Sequence, residues 1–364
     1  MMVWPTVLAE PVQQGIGISE IFGLVSISEV KPLPRRKTTV QIPIRRTMSL
    51  FDVTSFGEQQ AIDFLHHLRW PGGAPICPRC DSSNCRVQSV RDTYRCSGAG
   101  CYYEFSYKSG TSWHATKLRA RDILLLTYLF ATCPKGLPAQ QLSPWIDRDS
   151  KVTHLQLSKI REAINRYWLR QKLSGIVEID AVFMKFRRRP PNMGRAAVPQ
   201  VHPGGKCVLS LVQRGGPALG IVVDGETKAE VFKAARRYLT EGTMIMTDEA
   251  RAYDFLRFFF ETHTINHSVE FARGQIFTNN AESFHGRLRR SQRGVYHRIG
   301  TSDALQLYIS EMAWRHTYAR RDPRAQWEDL LDITLSQPPS DIYRGYWDAP
   351  REKVSASTSL YFDR

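Results

Sequence analysis

The segment QIFTNNAESFHGRLRRSQRGVYHRI, Gln275–Ile299, contains one acidic residue, Glu282, among five arginines. If this segment forms a helix, Glu282 and Arg289 lie seven residues apart, two turns along one face, with Gly286 and Arg293 on the same face. Considered alone, such a carboxylate is most often one partner of a surface salt bridge. Two apolar runs upstream favour a different interpretation, because each of them presents an aspartate.

The two aspartates lie in strand-like segments. Asp180 is inside GIVEIDAVFMKF, and Asp248 ends the apolar part of GTMIMTDEARAYDFL, thirty-four residues before Glu282. A carboxylate inside an apolar strand is costly unless it is paired, so Asp180 is either a paired core acid or a functional one. Mg2+ prefers hard oxygen ligands of this kind. Two such ions about 3.5–4 Å apart can activate a hydroxyl and stabilise a leaving oxygen when a phosphodiester is cut or joined.

Residues 174–321 show a pattern of alternating strands and helices. The order β-β-β-α-β-α-β-α, in which the last helix carries Glu282, predicts a mixed sheet flanked by helices. The predicted strands are IVEIDAVFMKF, CVLSLVQR, ALGIVVDG, TMIMT and THTINHSVEF, and the intervening helices are KAEVFKAARRYL and EARAYDFLRFFF. A further amphipathic helix is predicted over residues 303–321, and residues 322–364 are predicted to form a polar tail.

The region before this sheet divides into three parts. Residues 1–47 end in the basic segment KPLPRRKTTVQIPIRR and predict a poorly ordered basic extension. We expect the folded part to begin at Met48, with a helix whose capping box joins Ser55 and Glu58. Residues 117–173 predict helices, which are compatible with a helix-turn-helix DNA-binding unit and equally with a plain helical linker.

Four of the seven cysteines form two pairs, CPRC (Cys77, Cys80) and CSGAGC (Cys96, Cys101). Fifteen residues separate the pairs, and this spacing within residues 48–116 is typical of a zinc ribbon with a structural Zn2+. Four thiolates leave no open position for catalysis. Cys85 is a spare thiol that could compete as a ligand, and the alternative is four unrelated buried thiols.

The composition is that of a globular protein with an anionic partner. The net charge of +15 suggests nucleic acid as that partner. The longest apolar run, ILLLTYLFATC, is shorter than the ~20 residues of a membrane span, and the N-terminus does not resemble a secretory signal. Paired cysteines favour a reducing compartment, so we expect a cytoplasmic, nucleoid-associated protein, or a nuclear one in a eukaryote.

The order of these motifs resembles the ISXO-like group of insertion-sequence transposases, which join an N-terminal zinc ribbon to an RNase H-like DDE domain. The most distinctive matches are TDE-x3-Y and the N-x2-ESF…R-x4-GxYH block. The matching segments, from about Met48 to Arg321, are FLHHLRWPGGAPICPRC, YRCSGAGCYYEFSYKSGTSWHATKL, VEIDAVF, TDEARAY, INHSVEFA, TNNAESFHGRLRRSQRGVYHRI and EMAWRHTYARR.

The resemblance implies a catalytic site in which Asp180, Asp248 and Glu282 hold two Mg2+ or Mn2+ ions and Arg289 assists them. It also implies double-stranded DNA as the partner, both at the terminal inverted repeats and at the target, and a homo-oligomer in the synaptic complex. Asn279 is alternatively the N-cap of its helix. The predicted DNA contacts are Arg187, Arg188, Arg189, Asn279, Arg287, Arg290, Arg293 and His297, with Arg315, Arg321 and Tyr296 expected near the site.

The chain departs from the family pattern in three places. Ala181 follows Asp180 where an acid is usual, the second cysteine pair encloses four residues instead of two, and His285 stands where the family tends to have Trp. None of these changes removes a catalytic carboxylate. The predicted function is cut-and-paste DNA transposition. The alternatives are a repurposed, non-catalytic zinc-ribbon DNA-binding protein and an RNase H-like nuclease without strand transfer.

Overall fold

The computed structural model describes residues 48–88, 93–184, 206–265, 278–297, 299, 302–319 and 321–343. The predicted extension at residues 1–47 and the predicted DNA contacts Arg187, Arg188 and Arg189 lie outside these ranges. Within them, no helix has both the length and the apolar character that crossing a membrane requires.

The N-terminal part pairs two helices with a small sheet. Helices α1 (Leu50–Thr54) and α2 (Glu58–Arg69) precede an antiparallel sheet of β1 (Cys85–Gln88), β2 (Thr93–Cys96) and β3 (Glu104–Phe105). The predicted capping box of Ser55 and Glu58 is wrong, because α2 starts from Gly57 and the Glu58 carboxylate accepts the N–H groups of Ala120 and Arg121 at 2.7 and 3.2 Å. Glu58 therefore ties α2 to the start of the next helix.

Three helices follow the ribbon: α3 (Ala120–Thr132), α4 (Ala139–Trp145) and α5 (Ser150–Trp168). The first turn of α5 is exposed, whereas its second half is buried through Leu157, Ile160 and Ile164. The buried half packs against α8 (Ser302–Tyr318). The helical character predicted for this region is present, and the helix-turn-helix assignment stays a prediction.

The larger sheet contains five strands: β4 (Ile176–Met184), β5 (Lys206–Gln213), β6 (Ala218–Val223), β7 (Met244–Asp248) and β8 (Glu261–Ile265). Their order in the sheet is β6-β5-β4-β7-β8. The first three strands along the chain pair antiparallel, and β7 and β8 add parallel to β4. This arrangement confirms the predicted mixed sheet flanked by helices. The helices of this part are α6 (Lys228–Tyr238), α7 (Asn279–Ser291) and α8.

The helix predicted after Asp248 is wrong. Only a short 3-10 helix, Asp254–Phe258, connects β7 to β8. Leu256 is buried, but Phe258 and Phe259 are 77% and 61% exposed, so this segment does not present the continuous apolar face that a packed helix needs. Aromatic residues are also weaker helix formers than Leu or Ala.

The predicted polar tail is corrected over its first part by helix α9 (Pro323–Ser336). Asp322 caps this helix by accepting the N–H of Arg324 at 2.9 Å. The buried Trp327 donates its indole N–H to Thr127 Oγ1 at 2.9 Å and stacks on Phe64 with ring centroids 5.8 Å apart. Helix α9 therefore packs against both α2 and α3.

Candidate metal centres

The two cysteine pairs converge on one point. The sulfur atoms of Cys77, Cys80, Cys96 and Cys101 all lie within 4.8 Å of one another. The Cys77–Cys101 and Cys80–Cys96 sulfur distances are 3.8 and 3.5 Å. A tetrahedral Zn2+ with Zn–S bonds of about 2.3 Å separates its sulfur ligands by about 3.8 Å. The four thiols therefore fit a structural zinc ion.

The spare cysteine lies outside this group. The thiol of Cys85 donates to the carbonyl oxygen of Ser82 at 3.4 Å. The longer second pair is accommodated by its glycines: Gly100 has φ +74°, and a Cβ on Gly98 would lie 3.1 Å from Cβ of Ser82. The extra residues between Cys96 and Cys101 thus bulge without displacing the sulfur atoms.

Strands β4 and β7 bring the two predicted aspartates level with each other. Their parallel pairing places Glu178 opposite Met246. Continuing this register by two residues places Asp180 opposite Asp248, and alternate residues of a strand share one face. Adjacent strands are about 4.8 Å apart. Two half-buried carboxylates therefore stand side by side on one face of the sheet.

Helix α7 packs on β4 and β5 and carries the third predicted carboxylate. Glu282 is exposed in the first turn of α7. One turn later, the buried His285 places its Nδ1 atom 3.5 Å from Oδ2 of Asp180 and its Nε2 atom 2.9 Å from Oγ of Ser210. Ser210 is the partner of Asp180 on β5. His285 is therefore a direct contact between the helix of Glu282 and the strand of Asp180.

The carboxylates influence one another electrostatically. Burial raises the pKa of Asp180 to about 6; the N–H of Ala181 opposes this shift, and the negative charges of Asp248, Glu226 and Glu282 add to it. Glu226 follows β6 and is a fourth acid whose charge acts on Asp180, and no sequence motif indicated it. A divalent cation would relieve this concentration of negative charge, so the donor set fits Mg2+ or Mn2+ chemically.

The carboxylates are more widely spread than the thiols. Within the described ranges, the four cysteines are the one group of three or more ligand atoms that all lie within 4.8 Å of one another. A site for two ions about 3.5–4 Å apart distributes its ligands over a larger volume than a site for one ion.

Glu178 joins the same strand to the same helix. Its buried carboxylate accepts the backbone N–H groups of Asn280 and Ala281 at 2.8 and 3.1 Å. It also accepts from Asn280 Nδ2 at 2.8 Å and from Arg214 Nε at 2.9 Å. No sequence motif singles out Glu178. The available signal was its position two residues before Asp180, on the same face of the strand.

Family comparisons agree with this architecture. The model of the ISXO2-like transposase domain matches residues 172–317, and that of the transposase zinc-ribbon domain matches residues 57–104. The chain therefore carries an ISXO2-like transposase domain and a transposase zinc-ribbon domain. No curated protein matches this transposase by sequence.

Solved structures of Mos1 transposase show a distant similarity to this transposase. The Mos1 strand transfer complex is 12% identical, covers 57% of this chain and 73% of that chain, and has a TM-score of 0.24. The Mos1 paired-end complex with left transposon end is 12% identical over 58% of this chain and 78% of that chain, with a TM-score of 0.24. The pre-cleavage Mos1 transpososome is 14% identical over 59% and 76%, with a TM-score of 0.22.

The predicted DNA-contacting side chains of this transposase differ in exposure. Asn279, Arg289, Arg290, Arg293 and His297 are exposed, and Arg287 is half-buried. Burial and then the charge of Arg289 lower the pKa of His285 to about 4. The alternative role of Asn279 as N-cap is wrong, because Thr278 occupies that position.

Two residues expected near the DNA are instead part of a buried ion-pair network in the transposase. Tyr296 ends a π-helix, Gln292–Tyr296, and its hydroxyl donates to Glu311 Oε1 at 2.7 Å. Arg315 binds the same carboxylate at 2.8 Å, and Arg161 binds its other oxygen at 2.6 Å. A buried glutamate needs such partners. Arg161 thereby joins α5 to α8, Tyr296 joins the π-helix to α8, and Arg315 binds Glu311 from within α8, so Tyr296 and Arg315 serve a buried carboxylate.

Proposed function

We propose that the chain is a cut-and-paste DNA transposase in which Asp180, Asp248 and Glu282 hold two Mg2+ or Mn2+ ions. The observation that carries this proposal is the parallel register that sets Asp180 beside Asp248, with α7 on the same face of the sheet. The family match supports the transposase class, and the residue roles are inferred from the geometry.

The proposed chemistry has two steps. Water adds across a P–O bond at the element end and frees a 3′-hydroxyl. The oxygen of that hydroxyl then bonds to a target phosphorus while a target P–O bond breaks, so the number of phosphodiester bonds is unchanged in the second step. When bound, the metal ions would activate the attacking oxygen and stabilise the leaving oxygen.

The chain itself contributes the positions of the ligands. His285 contacts Oδ2 of Asp180, and the N–H of Ala250 donates to Oδ1 of Asp248 at 3.0 Å. These contacts orient both carboxylates before any ion binds. Preorganised ligands lower the cost of assembling the reactive arrangement.

The exposed arginines supply the contacts to DNA in this proposal. Arg289 and Arg290 lie in the last turn of α7, and Arg293 follows in the π-helix. Guanidinium groups bind phosphate through paired hydrogen bonds. The zinc ribbon and helices α3–α5 would bind the terminal repeats, and a homo-oligomer would hold two element ends together.

A strand-transfer assay tests the proposal. Wild type and Glu282→Gln are mixed with pre-cleaved element-end DNA, target plasmid and Mg2+, and Glu230→Gln on α6 serves as the control. We expect joining by the wild type and the control, and a loss of about 100-fold or more for Glu282→Gln, since metal-assisted charge stabilisation supplies several kcal/mol. Equal joining by Glu282→Gln would contradict the catalytic assignment. In a parallel reaction with uncleaved element-end DNA, cleavage without joining would indicate a nuclease, and binding without either would indicate a repurposed DNA-binding protein.

A further inference from the structure

Glu178 is a buried acid beside the proposed metal site for which neither the family match nor the proposed chemistry gives a role. We propose that Glu178 is a positioning residue: from strand β4 it caps helix α7 and so fixes Glu282 relative to Asp180. This inference rests on the proposed function only in taking Asp180 and Glu282 as ligands of the same site.

The contacts of Glu178 use the whole carboxylate. Oε2 accepts the backbone N–H groups of Asn280 and Ala281, and Oε1 accepts from the side chains of Asn280 and Arg214, all between 2.8 and 3.1 Å. The Glu178 side chain is 0% exposed. Two donors on each oxygen satisfy an ionised carboxylate, and Arg214 balances its charge.

The N-cap residue of helix α7 provides no side-chain cap. The first N–H groups of a helix lack intrahelical partners, and Thr278 at the N-cap position makes no side-chain hydrogen bond to them. The carboxylate of Glu178 takes over this task, and its negative charge also suits the positive end of the helix dipole. A cap within the segment would define only the helix, whereas a cap on β4 also defines where the helix begins relative to the sheet.

A second contact fixes the position of helix α7 along strand β4. Ala281 contacts Glu178, and His285 contacts Asp180. Four helical residues rise about 6 Å, and two strand residues advance about 6.6 Å. The two contact points therefore match in spacing, and Glu282 lies between them in the chain. Moving α7 along the strand would break both contacts, so together they determine the position of Glu282.

The substitution Glu178→Gln weakens this cap with almost no change in volume. A glutamine presents one oxygen and one NH2 group, and the NH2 group cannot accept a hydrogen bond. Either the backbone N–H groups of α7, or the side chains of Asn280 and Arg214, therefore lose their acceptor. The helix start then loses part of its attachment to β4, while the packing of the strand is retained. Asn280→Ala is a milder change, because it removes one donor and keeps both backbone N–H groups.

Glu162 offers a matched control. It is also buried, pairs with Arg166 at 2.5 Å and accepts the backbone N–H of Asp341 at 2.9 Å. Its recorded partners lie on α5 and after α9, and none is on β4 or α7. Glu162→Gln therefore disturbs a similar buried glutamate away from the proposed metal site.

The test compares full-length wild type, Glu178→Gln, Asn280→Ala and Glu162→Gln. Zinc content and thermal unfolding establish that each variant is folded. Hydrogen exchange then follows the amides of residues 279–285, and Mn2+ titration followed by electron paramagnetic resonance gives the metal affinity without DNA. Both measurements are independent of whether the protein cleaves or joins DNA, so failure of the proposed function would not be confused with failure of this inference.

We expect Glu178→Gln to speed exchange in residues 279–285 and to weaken Mn2+ binding about 10-fold or more, as loss of a partner that orients a metal ligand commonly does. Asn280→Ala should show a smaller change of the same sign, and Glu162→Gln should change neither quantity even if it lowers the unfolding temperature. If Glu178→Gln does not fold, Asn280→Ala carries the test. Unchanged exchange and Mn2+ affinity in the folded cap variants, or equal losses in Glu162→Gln, would overturn the proposal.

Discussion

His285 on α7 contacts Asp180 on β4, with Nδ1 3.5 Å from Oδ2, and its other ring nitrogen lies 2.9 Å from the hydroxyl of Ser210. The chain Ser210–His285–Asp180 has the connectivity of a hydrolytic triad, but Ser210 is fully buried and cannot reach a substrate. The arrangement instead fixes the orientation of the Asp180 carboxylate.

Replacing His285 by alanine should therefore affect stability and metal binding together. The change leaves the buried Ser210 and the half-buried Asp180 without this partner, which we expect to cost about 1–3 kcal/mol of unfolding free energy. Metal affinity should fall about 10-fold or more. Urea unfolding and Mn2+ titration measure the two effects. Ser210→Ala keeps the contact between His285 and Asp180 and is the control. If Ser210→Ala lowered the metal affinity as much as His285→Ala does, the His285–Asp180 contact would not be the cause of the loss.

The zinc ribbon should lose its metal when the ligand Cys77 is replaced and should keep it when the spare cysteine, Cys85, is replaced. We expect one zinc per chain in the wild type and in Cys85→Ser, and loss of zinc in Cys77→Ser. The reason is that Cys77 is one of the four cysteines whose sulfur atoms converge, whereas Cys85 is not. Metal analysis of the purified proteins measures this difference. Loss of zinc from Cys85→Ser with retention in Cys77→Ser would reverse the ligand assignment.

The exposed arginines should control the salt dependence of DNA binding. Each phosphate contact contributes about −0.9 to the slope of log K against log salt concentration. Replacing Arg290 and Arg293 by glutamine should therefore make the slope shallower by about 1.8. Affinity is measured by fluorescence anisotropy at several salt concentrations. The exposed Arg236 on α6 is the control, and an equal change in Arg236→Gln would argue against a specific DNA face.

Helix α9 should contribute to stability through Trp327. Because this indole is buried between α2 and α3, we expect Trp327→Ala to cost about 3–5 kcal/mol of unfolding free energy. The exposed Trp145, 51% accessible, is the matched control, and its replacement should cost less than about 0.5 kcal/mol. Chemical unfolding monitored by circular dichroism measures both. Similar small losses in the two variants would restore the interpretation of this region as a tail.

Much of the fold followed from local patterns. Apolar runs identified the five strands, and the spacing of the cysteines identified the ribbon, because both signals depend on residues close together in the chain. The segment after Asp248 was predicted as a helix since its apolar residues recur at helical spacing. In the structure, only some of them face the core. Trp327 was overlooked because its helix also carries several charged residues.

The site required information that local patterns do not contain. Glu178 is one acid in an apolar strand, and its partners Asn280 and Ala281 lie about a hundred residues later in the chain. Arg315 was expected near DNA because it is basic. Its actual role depends on Glu311, which is paired in turn with the distant Arg161. Charge alone does not distinguish an arginine that meets phosphate from one that neutralises a buried carboxylate.

A change of metal specificity tests the central claim, that Asp248 is a ligand of a divalent ion used in DNA joining. Cysteine at this position offers a soft thiolate, which Mg2+ binds poorly and Mn2+ binds better. In a strand-transfer assay, we predict that Asp248→Cys joins element ends with Mn2+ but not with Mg2+, and that Asp248→Ala joins with neither. Joining by Asp248→Ala at the wild-type rate in Mg2+ would contradict the account.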